Sequence, residues 1–413
     1  MLFKNVLLLG LATLASAWLP EDKLLKNETI SKRWLPASGK IRGVNLGSLF
    51  IVEPWMANDE WNAMGCGGKN SEFDCMMALG QANGNSAFQK HWNTWITQDD
   101  LNQMVALGLN TIRIPVGYWM REDIVYRDSE WFPEGGLQYL ERLCGWASDL
   151  GMYIIIDLHG APGAQVAQNA FTGQFASTPG FYVDYQFERA YKFLEWMANI
   201  IHTNNNYRNV GMLEVVNEPL MVRVNRTNAQ DAASLISTFY PTAWNRIRAV
   251  ENNLNIGAYD RLHIQMMDTQ WGSGTPQQNL PDQWFAAFDD HRYIKWSSTN
   301  PTRADYLYAS CHDDRGGNYP VIVGEWSLSV ADSAEWNGEL SLTQSDAVSW
   351  YKKWWAAQVI AYEKQAGWIF WSWKANWIGG RNDWRWAYQA AVAAGAIPTN
   401  PQDAYNMGAC NGV

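Results

Sequence analysis

The sequence is poor in the features on which several common classes of protein depend. Its 413 residues include five cysteines and six histidines, and no pair has the spacing typical of a zinc site. Beyond the first 17 residues, no segment has the length of apolar sequence that a membrane helix needs. No Pro-, Ser- or Gly-rich linker and no internal repeat divides the chain. These absences argue against a metalloprotein and a membrane protein, and they favour one large domain.

Positive charge is also scarce. The first 33 residues carry five of the 31 Lys and Arg and three of the 41 Asp and Glu, so residues 34–413 have 26 basic and 38 acidic side chains. The net charge of that part is −12. Such an excess of negative charge repels polyanions, so neither nucleic acid nor a membrane surface is expected as a partner. A neutral or weakly charged ligand fits this charge better.

The amino terminus has the pattern of an export signal. It combines one lysine, an apolar run and the small residues Ala15-Ser16-Ala17, and a polar segment then leads to Lys32-Arg33. The alternative is a disordered leader with a chance dibasic pair. Asn225-Arg226-Thr227 is an acceptor sequence for N-glycosylation, which agrees with a secreted, extracellular protein. The predicted divisions are a signal peptide at 1–17, a propeptide at 18–33 and the folded domain at 34–413.

The cysteines agree with export. Cys66 and Cys75 bracket a loop rich in Gly, Asn and Ser and could close it as a disulfide, and Cys311 could pair with Cys410 to fix the carboxyl terminus. Spacing alone leaves the connectivity open. Cys144 lies on the apolar face of a helical pattern and is expected to be a buried free thiol.

Eight apolar segments are predicted to be buried strands. Between most of them lie helical patterns, at 98–107, 137–150, 185–202, 229–251 and 344–365. This alternation predicts an α/β fold, a single-domain (β/α)8 TIM barrel with long βα loops, and an open α/β sheet is the alternative. The sixth strand is the weakest prediction, because it is polar and no clear helix precedes it. The predicted strands are 41–47, 111–117, 153–159, 210–219, 262–268, 289–295, 320–327 and 367–374.

Chemically active side chains stand at the ends of these strands. The apolar runs 211–219 and 320–326 each have a glutamate next to their last residue, Glu218 in the first and Glu325 in the second. The carboxyl ends of barrel strands carry the active site, and two carboxyl groups at that end are what cleavage of a glycosidic bond requires. The other strand ends contribute Arg113, His159, Asn217, His291, Tyr293, Trp371 and Trp373.

In combination, these motifs resemble glycoside hydrolase family 5, whose barrels carry glutamates after strands four and seven. The resemblance covers essentially all of residues 34–413. The residues that carry it are Thr111-Ile112-Arg113-Ile114-Pro115, Asp157-Leu158-His159-Gly160, Asn217-Glu218-Pro219, His291-Arg292-Tyr293, Val323-Gly324-Glu325-Trp326 and Phe370-Trp371-Ser372-Trp373.

The resemblance implies a role for each strand-end residue. Glu218 would be the general acid/base and Glu325 the nucleophile of a retaining mechanism, which needs no metal and no organic cofactor. A nearby Arg113 is expected to lower the pKa of Glu325. In the substrate site, Asn217 would hold the sugar 2-hydroxyl, and Arg113 and Tyr293 would flank Glu325. His159 and His291 would line the cleft. Trp371 would be the aromatic platform for the sugar, and Trp373 would take that role if the register of the strand differs by two residues.

Tryptophan is unusually abundant, with 25 residues in the chain. Indole rings present a flat apolar face and a polar edge, which suits the C–H face of a pyranose ring. A polysaccharide substrate is therefore expected, and about half of these residues are expected only to pack. The tryptophans expected at the cleft rim are Trp55, Trp61, Trp119, Trp131, Trp271, Trp377, Trp384 and Trp386, and Trp146, Trp196, Trp350, Trp354 and Trp355 are assigned to helix packing.

The linkage of the substrate is implied by resemblance alone. Residues 43–47 and Val52-Glu53-Pro54-Trp55 resemble the opening of fungal family 5 β-glucanases, which makes Glu53 a substrate-binding candidate. The chain departs from the exo-β-1,3 pattern at 47–50 and 374–377, and with His91–Thr97 it is similar to the fungal endo-β-1,6-glucanases of subfamily 15. The expected protein is a monomer that acts on β-glucan near the cell wall. An exo-β-1,3-glucanase, a transglycosylase and a non-catalytic glucan-binding protein are the alternatives.

Overall fold

The computed structural model describes residues 39–221, 229–376, 378, 381 and 383–413. The predicted signal peptide, the propeptide boundary, the glycosylation site at Asn225 and Trp377 lie outside the described residues. In the described part, eight parallel strands form a closed barrel in chain order, and β1 pairs with β8 to close it. This confirms the (β/α)8 barrel and excludes the open sheet. The strands are β1 Ile41–Asn45, β2 Thr111–Gly117, β3 Tyr153–Gly160, β4 Val210–Glu214, β5 His263–Met267, β6 Ala286–His291, β7 Val321–Glu325 and β8 Gly367–Phe370.

The helices surround the barrel. The five predicted helices are confirmed within a few residues, although 229–251 is interrupted by a π-helical turn at Leu235–Phe239. No helix in the described ranges has both the length and the apolar character for crossing a bilayer. The helices are α1 Asn58–Ala63, α2 Glu72–Leu79, α3 Gln81–Thr94, α4 Gln98–Ala106, α5 Leu137–Asp149, α6 Asp184–Thr203, α7 Ala229–Ser234, α8 Tyr240–Asn253, α9 Arg303–His312, α10 Ala347–Tyr362 and α11 Tyr388–Ala393.

Three strands differ from the prediction by more than two residues. The sixth was predicted at 289–295, but β6 begins at Ala286 and ends at His291, because 286–288 are the apolar residues that pair beside β5 and β7. The fourth and eighth end earlier than predicted, at Glu214 and Phe370. Asn217, Glu218 and Trp371 therefore lie in the loops that leave the barrel, where side chains can turn into a cleft.

The barrel interior changes character along its axis. Alternate residues of a strand face the same way, so Ile155, Asp157 and His159 of β3 point inward in succession. At the amino-terminal end, the interior is an apolar cluster that includes Tyr153, Ile155 and Met212. Toward the carboxyl-terminal end the inward residues become charged, and these charged side chains form the floor of the site described below.

Two disulfides stabilise the periphery. Cys66 pairs with Cys75 and Cys311 pairs with Cys410, with Cα–Cα distances of 5.1 and 5.5 Å. Cys144 is a buried free thiol. All three expectations for the cysteines are confirmed.

A buried carboxyl group supports the loop that carries Glu53. Glu72 is fully buried, and its Oε1 accepts a hydrogen bond from the backbone N–H of Val52 at 2.8 Å. Its Oε2 has no hydrogen-bond partner among the described residues. Burial raises the pKa of Glu72 well above its ordinary value, and the Val52 hydrogen bond only partly opposes that rise. Glu72 therefore holds its proton in the folded protein at pH values where the unfolded chain releases it.

We expect Glu72→Gln to increase stability relative to the native chain as the pH rises. A carboxyl group whose pKa is raised by folding stabilises the folded state fully below its unfolded-state pKa, and this stabilisation is lost as the pH rises toward its folded-state pKa. Glutamine does not ionise, so the variant does not lose stability in this way. The difference in free energy of unfolding between the two proteins should therefore grow as the pH rises above about 4, the ordinary pKa of a glutamate. Urea unfolding at several pH values measures it.

Glu60→Gln is the matched control for this experiment. Glu60 lies 3.0 Å from the His91 Nδ1, and that hydrogen bond lowers the pKa of Glu60. The ionised Glu60 stabilises the fold above its unfolded-state pKa, and this stabilisation is lost in acid. Glu60→Gln should therefore lower the free energy of unfolding at neutral pH and lower it less in acid. A pH-independent difference for Glu72→Gln would contradict the buried neutral carboxyl group.

Candidate active site

Two glutamates face each other at the carboxyl-terminal end of the barrel. Glu325 is the last residue of β7, and Glu218 follows β4 by four residues. A carboxyl oxygen of Glu218 and one of Glu325 lie within 4.8 Å of each other. Retaining glycosidases place their two carboxyl groups about 5 to 5.5 Å apart, whereas inverting enzymes need a wider gap to hold a water. The observed spacing suits a retaining pair.

The backbone at Glu218 is held in an uncommon conformation. Its φ is +39°, in a region that residues other than glycine rarely adopt. The adjoining residues are fixed: Asn217 N–H donates to the Leu158 carbonyl at 3.0 Å, and the Pro219 carbonyl accepts from Trp271 Nε1 at 2.9 Å. Strain of this kind persists only where the surroundings determine the conformation, as they do here.

Arg113 connects Glu325 to the floor of the barrel. Its fully buried guanidinium donates from Nη1 to Glu325 Oε1 and to Asn45 Oδ1, both at 3.0 Å. Nη2 donates to Asn217 Oδ1 at 2.9 Å, and Nε donates to Glu214 Oε2 at 2.9 Å. One rigid side chain from β2 therefore sets the orientation of residues from strands one, four and seven.

Asn217 is left with a free donor at the cleft. Its Oδ1 is taken by Arg113, and its Nδ2 is buried without a hydrogen-bond partner among the described residues. Gln165 Nε2 fixes the backbone on both sides of the cleft by donating to the carbonyls of Asn217 at 2.9 Å and His159 at 2.6 Å. A buried donor without a partner is costly, so this amide is suited to a ligand oxygen.

Tyr293 and His291 contact the glutamate pair from β6 and the loop after it. The Tyr293 hydroxyl donates to Glu325 Oε2 at 2.9 Å, while burial and the charge of Glu325 raise the pKa of Tyr293 well above its ordinary value. Tyr293 therefore remains a donor. His291 Nδ1 lies 2.6 Å from Glu218 Oε1 and 3.5 Å from Glu325 Oε2, and its Nε2 lies 3.4 Å from Asp289.

Burial and neighbouring charges shift the pKa values of His291 and Glu325 in opposite directions. Burial would lower the pKa of His291, but the carboxylates of Glu325 and Asp289 raise it well above its ordinary value, which favours the protonated ring. For Glu325, burial raises the pKa, and His291 and Arg113 both lower it by less than burial raises it. Arg113 acts in the expected direction, and the net rise in the pKa of Glu325 comes from its burial, which the sequence does not show.

His159 and Trp371 form a stacked pair at the cleft. Asp157 Oδ2 lies 2.6 Å from His159 Nδ1, and the His159 ring is parallel to Trp371 within 8°, with centroids 5.5 Å apart. Trp371 lines the cleft, whereas Trp373 is fully buried and donates to Asp100 at 2.8 Å. The structure thus places Trp371 at the cleft and the alternative, Trp373, in the core.

The cleft itself has a volume of about 510 Å³. Glu53 lies in its wall and accepts a hydrogen bond from Trp55 Nε1 at 2.8 Å. Burial raises the pKa of Glu53 to about 7, although His159 opposes the rise. The lining residues are Glu53, Trp55, His159, Asn169, Phe171, Asn217, Glu218, Tyr293, Lys295, Trp296, Glu325, Asp332, Glu335, Trp371, Ile378 and Trp386.

The aromatic rim was predicted only in part. Trp55 and Trp386 line the cleft, with ring centroids 5.0 Å apart. Trp61 and Trp119 were expected at the rim, but both are buried: Trp61 donates to the Lys69 carbonyl, and Trp119 stacks on Phe132. A tryptophan count in loops cannot distinguish rings that face the cleft from rings that face the helices. The lining residues that the sequence analysis missed are Asn169, Phe171, Lys295, Trp296, Asp332, Glu335 and Ile378.

Glu218, His291 and Glu325 are also the one cluster of metal-type ligands found among the described residues. A histidine binds a metal only through an unprotonated nitrogen, whereas both ring nitrogens of His291 face carboxylates, Glu218 at 2.6 Å and Asp289 at 3.4 Å, which favour the protonated ring. The guanidinium of Arg113 adds a second positive charge at 3.0 Å from Glu325. These charges disfavour a cation and favour a pair of carboxyl groups that works through proton transfer.

Known proteins share this chain's sequence and fold. The sequence profile described as Cellulase (glycosyl hydrolase family 5) matches residues 71–377. Glucan endo-1,6-beta-glucosidase B of Emericella nidulans is 60% identical over 381 residues, covering 92% of this chain and 90% of its own. The probable glucan endo-1,6-beta-glucosidase B of Neosartorya fischeri is 58% identical over 402 residues, covering 97% and 98%. The crystal structure of rutinosidase from Aspergillus niger shares the fold, with a TM-score of 0.65 at 21% identity over 89% of this chain and 99% of that one.

Proposed function

The chain belongs to glycosyl hydrolase family 5, and from this premise we propose that it is a secreted, retaining endo-β-1,6-glucanase that hydrolyses fungal cell-wall β-glucan. The observation that carries the proposal is the Glu218 and Glu325 pair, with carboxyl oxygens within 4.8 Å. The names of the two fungal relatives support the β-1,6 linkage.

Glu325 is the proposed nucleophile. The N–H of Arg113 and the O–H of Tyr293 each donate to one of its oxygens, at 3.0 and 2.9 Å, which fixes the carboxylate for attack on the anomeric carbon. The positive charges of Arg113 and His291 favour its ionised form against the cost of burial. Attack forms a covalent glycosyl-enzyme and breaks the bond to the departing sugar.

Glu218 is the proposed general acid and base. It is the more exposed of the pair, with 18% of its side chain accessible against 6% for Glu325, so leaving group and water can reach it. It donates its proton to the departing oxygen in the first step. Esterification then removes the charge of Glu325, and the ionised Glu218 takes a proton from the water that hydrolyses the intermediate.

Three further residues are proposed to hold the sugar at the point of cleavage. The free Nδ2 donor of Asn217 is assigned to the 2-hydroxyl, where a hydrogen bond strengthens in the transition state. Trp371, backed by its stack on His159, is assigned as the platform for the ring. Glu53 lies in the cleft wall and is assigned to bind a hydroxyl group of the sugar.

The proposed site of action is outside the cell. The two disulfides, Cys66–Cys75 and Cys311–Cys410, are typical of an oxidising compartment, and the sequence of residues 1–17 has the pattern of an export signal. We propose that the enzyme acts near the fungal wall as a monomer.

The test of the linkage is chromatography of early products from linear β-1,6-glucan and β-1,3-glucan. We expect a ladder of short β-1,6-linked oligosaccharides and no digestion of the β-1,3-glucan. Glucose alone from the β-1,3-glucan would instead show an exo-β-1,3-glucanase. Products longer than the substrate would show a transglycosylase, and binding without turnover of either glucan would show a non-catalytic protein.

A further inference from the structure

A second cavity, of about 290 Å³, opens beside the active-site cleft. The two share Trp55 and Asn169 in their linings, so they lie next to each other. Neither glutamate of the catalytic pair lines the second cavity. Its remaining lining residues are Pro54, Lys69, Asn70, Gln168, Ala170 and Phe175.

One wall of the second cavity is the disulfide loop, which we define as residues 66–75. The Cys66–Cys75 bond closes it, and Trp61 Nε1 donates to the Lys69 carbonyl at 3.0 Å. The Phe73 N–H donates to the Gly173 carbonyl at 3.0 Å, which ties the disulfide loop to the opposite wall. Lys69 and Asn70 are thereby held at the cavity by a covalent closure and two hydrogen bonds.

The opposite wall is the segment 168–176 after β3. Gln168 N–H donates to the Ala176 carbonyl at 2.8 Å, and Thr172 Oγ1 donates to the Gln174 carbonyl at 2.7 Å. These bonds fold the segment back on itself and bring Phe175 to the cavity. Phe175 is 39% exposed and makes no ring-to-ring contact among the described residues, so core packing does not explain it.

The chemistry of the lining suits a pyranose unit. Trp55 and Phe175, each 39% exposed, offer apolar faces, and Lys69, Asn70 and Gln168 offer hydrogen-bonding groups beside them. We propose that this second cavity is a distal glucan subsite, which holds a glucose unit of the substrate away from the bond being cleaved. The inference rests on the proposed glucanase function, and it implies that long chains bind better than short ones.

The test is the dependence of kcat/KM on chain length in a series of β-1,6-linked gluco-oligosaccharides. For the native enzyme, kcat/KM should rise with each added unit until every subsite is filled. Phe175→Ala should match the native enzyme on the shortest cleaved oligosaccharide and fall roughly fivefold to tenfold below it on the longest, because one aromatic contact is lost. Phe175→Tyr should retain the native profile.

Two further variants keep the result specific. Tyr185→Ala removes an aromatic ring that is 58% exposed at the start of α6 and lines neither cavity, so it should leave the length profile unchanged. Asn70→Ala should show the same length pattern as Phe175→Ala with a smaller loss. The proposed subsite would be wrong if Phe175→Ala had the native dependence of kcat/KM on chain length, or if Phe175→Ala and Asn70→Ala both lost the same factor in kcat/KM at every chain length. Neither result would contradict the proposed glucanase function. A native enzyme inactive on the whole series would overturn both.

Discussion

Replacing Glu325 by glutamine is expected to abolish hydrolysis and to leave the fold intact. The amide has the shape of the carboxyl group but cannot attack the anomeric carbon, so the covalent intermediate does not form. Its oxygen can still accept from Arg113, and the Tyr293 hydroxyl can rotate to accept from its NH₂, which preserves the contacts around it. We expect kcat on β-1,6-glucan to fall by about 10⁴-fold or more.

The measurement combines turnover with binding and unfolding. Glu325→Gln should still bind oligosaccharide and should unfold in one transition near that of the native protein. Glu335→Gln is the matched control, since Glu335 also lines the cleft but pairs with Lys295 at 3.3 Å and is absent from the contacts of Glu325. Its activity should remain within about tenfold of native. Turnover by Glu325→Gln that approaches the control would remove Glu325 from the role of nucleophile.

Most of the fold could be predicted because parallel barrel strands are buried on both faces. The segments around Ile155 and Ile322 therefore appear as uninterrupted apolar runs, and each became a strand. β6 was misplaced because the predicted strand began at its polar second half, Asp289-Asp290-His291, and left out the apolar residues 286–288 that precede it. The polar side chains are buried because each finds a partner elsewhere, such as Arg315 for Asp290 at 2.5 Å, and such pairing cannot be seen in a sequence.

The polar residues at the strand ends could be predicted from the sequence, but the contacts between them could not. Arg113 was expected beside Glu325, and it does contact Glu325. Its simultaneous contacts with Asn45 and Glu214 depend on closure of the barrel, which brings strands one, two and four together around one guanidinium. The same limit applies to the pKa of Glu325, since burial is a property of the folded chain.

Loop structure was the least predictable level. The Cys66–Cys75 pairing was expected, but the hydrogen bond from Phe73 to Gly173 joins two loops about 100 residues apart and forms a cavity that no local pattern indicates. Trp119 is a second example, in which a loop residue expected at the cleft is buried. It follows β2 directly, as a cleft residue would, yet it fills the space above Gly117, Gly160 and Gly173, where a Cβ would collide with its ring.

Replacing Glu218 by glutamine should slow both chemical steps, and azide should restore part of the turnover. Without an acid, cleavage of the polymer is expected to fall by about 10²- to 10⁴-fold. An aryl β-glucoside with a good leaving group needs no acid, so Glu325 can still form the glycosyl-enzyme, which then accumulates because no base activates water. Azide is a small anion that attacks without a base, and kcat on the aryl glucoside should therefore rise with azide concentration.

The configuration of the azide product distinguishes the two glutamates. In Glu218→Gln, azide displaces Glu325 from the glycosyl-enzyme, so two inversions give a β-glucosyl azide. In Glu325→Ala, the space left by the carboxyl group admits azide directly to the substrate, and a single inversion gives the α-azide. Both variants must first be shown to be folded. An α-azide from Glu218→Gln would reverse the two assignments. Absence of any adduct from folded Glu218→Gln would contradict Glu218 as the acid and base, because azide needs no base and should intercept the glycosyl-enzyme that accumulates without one.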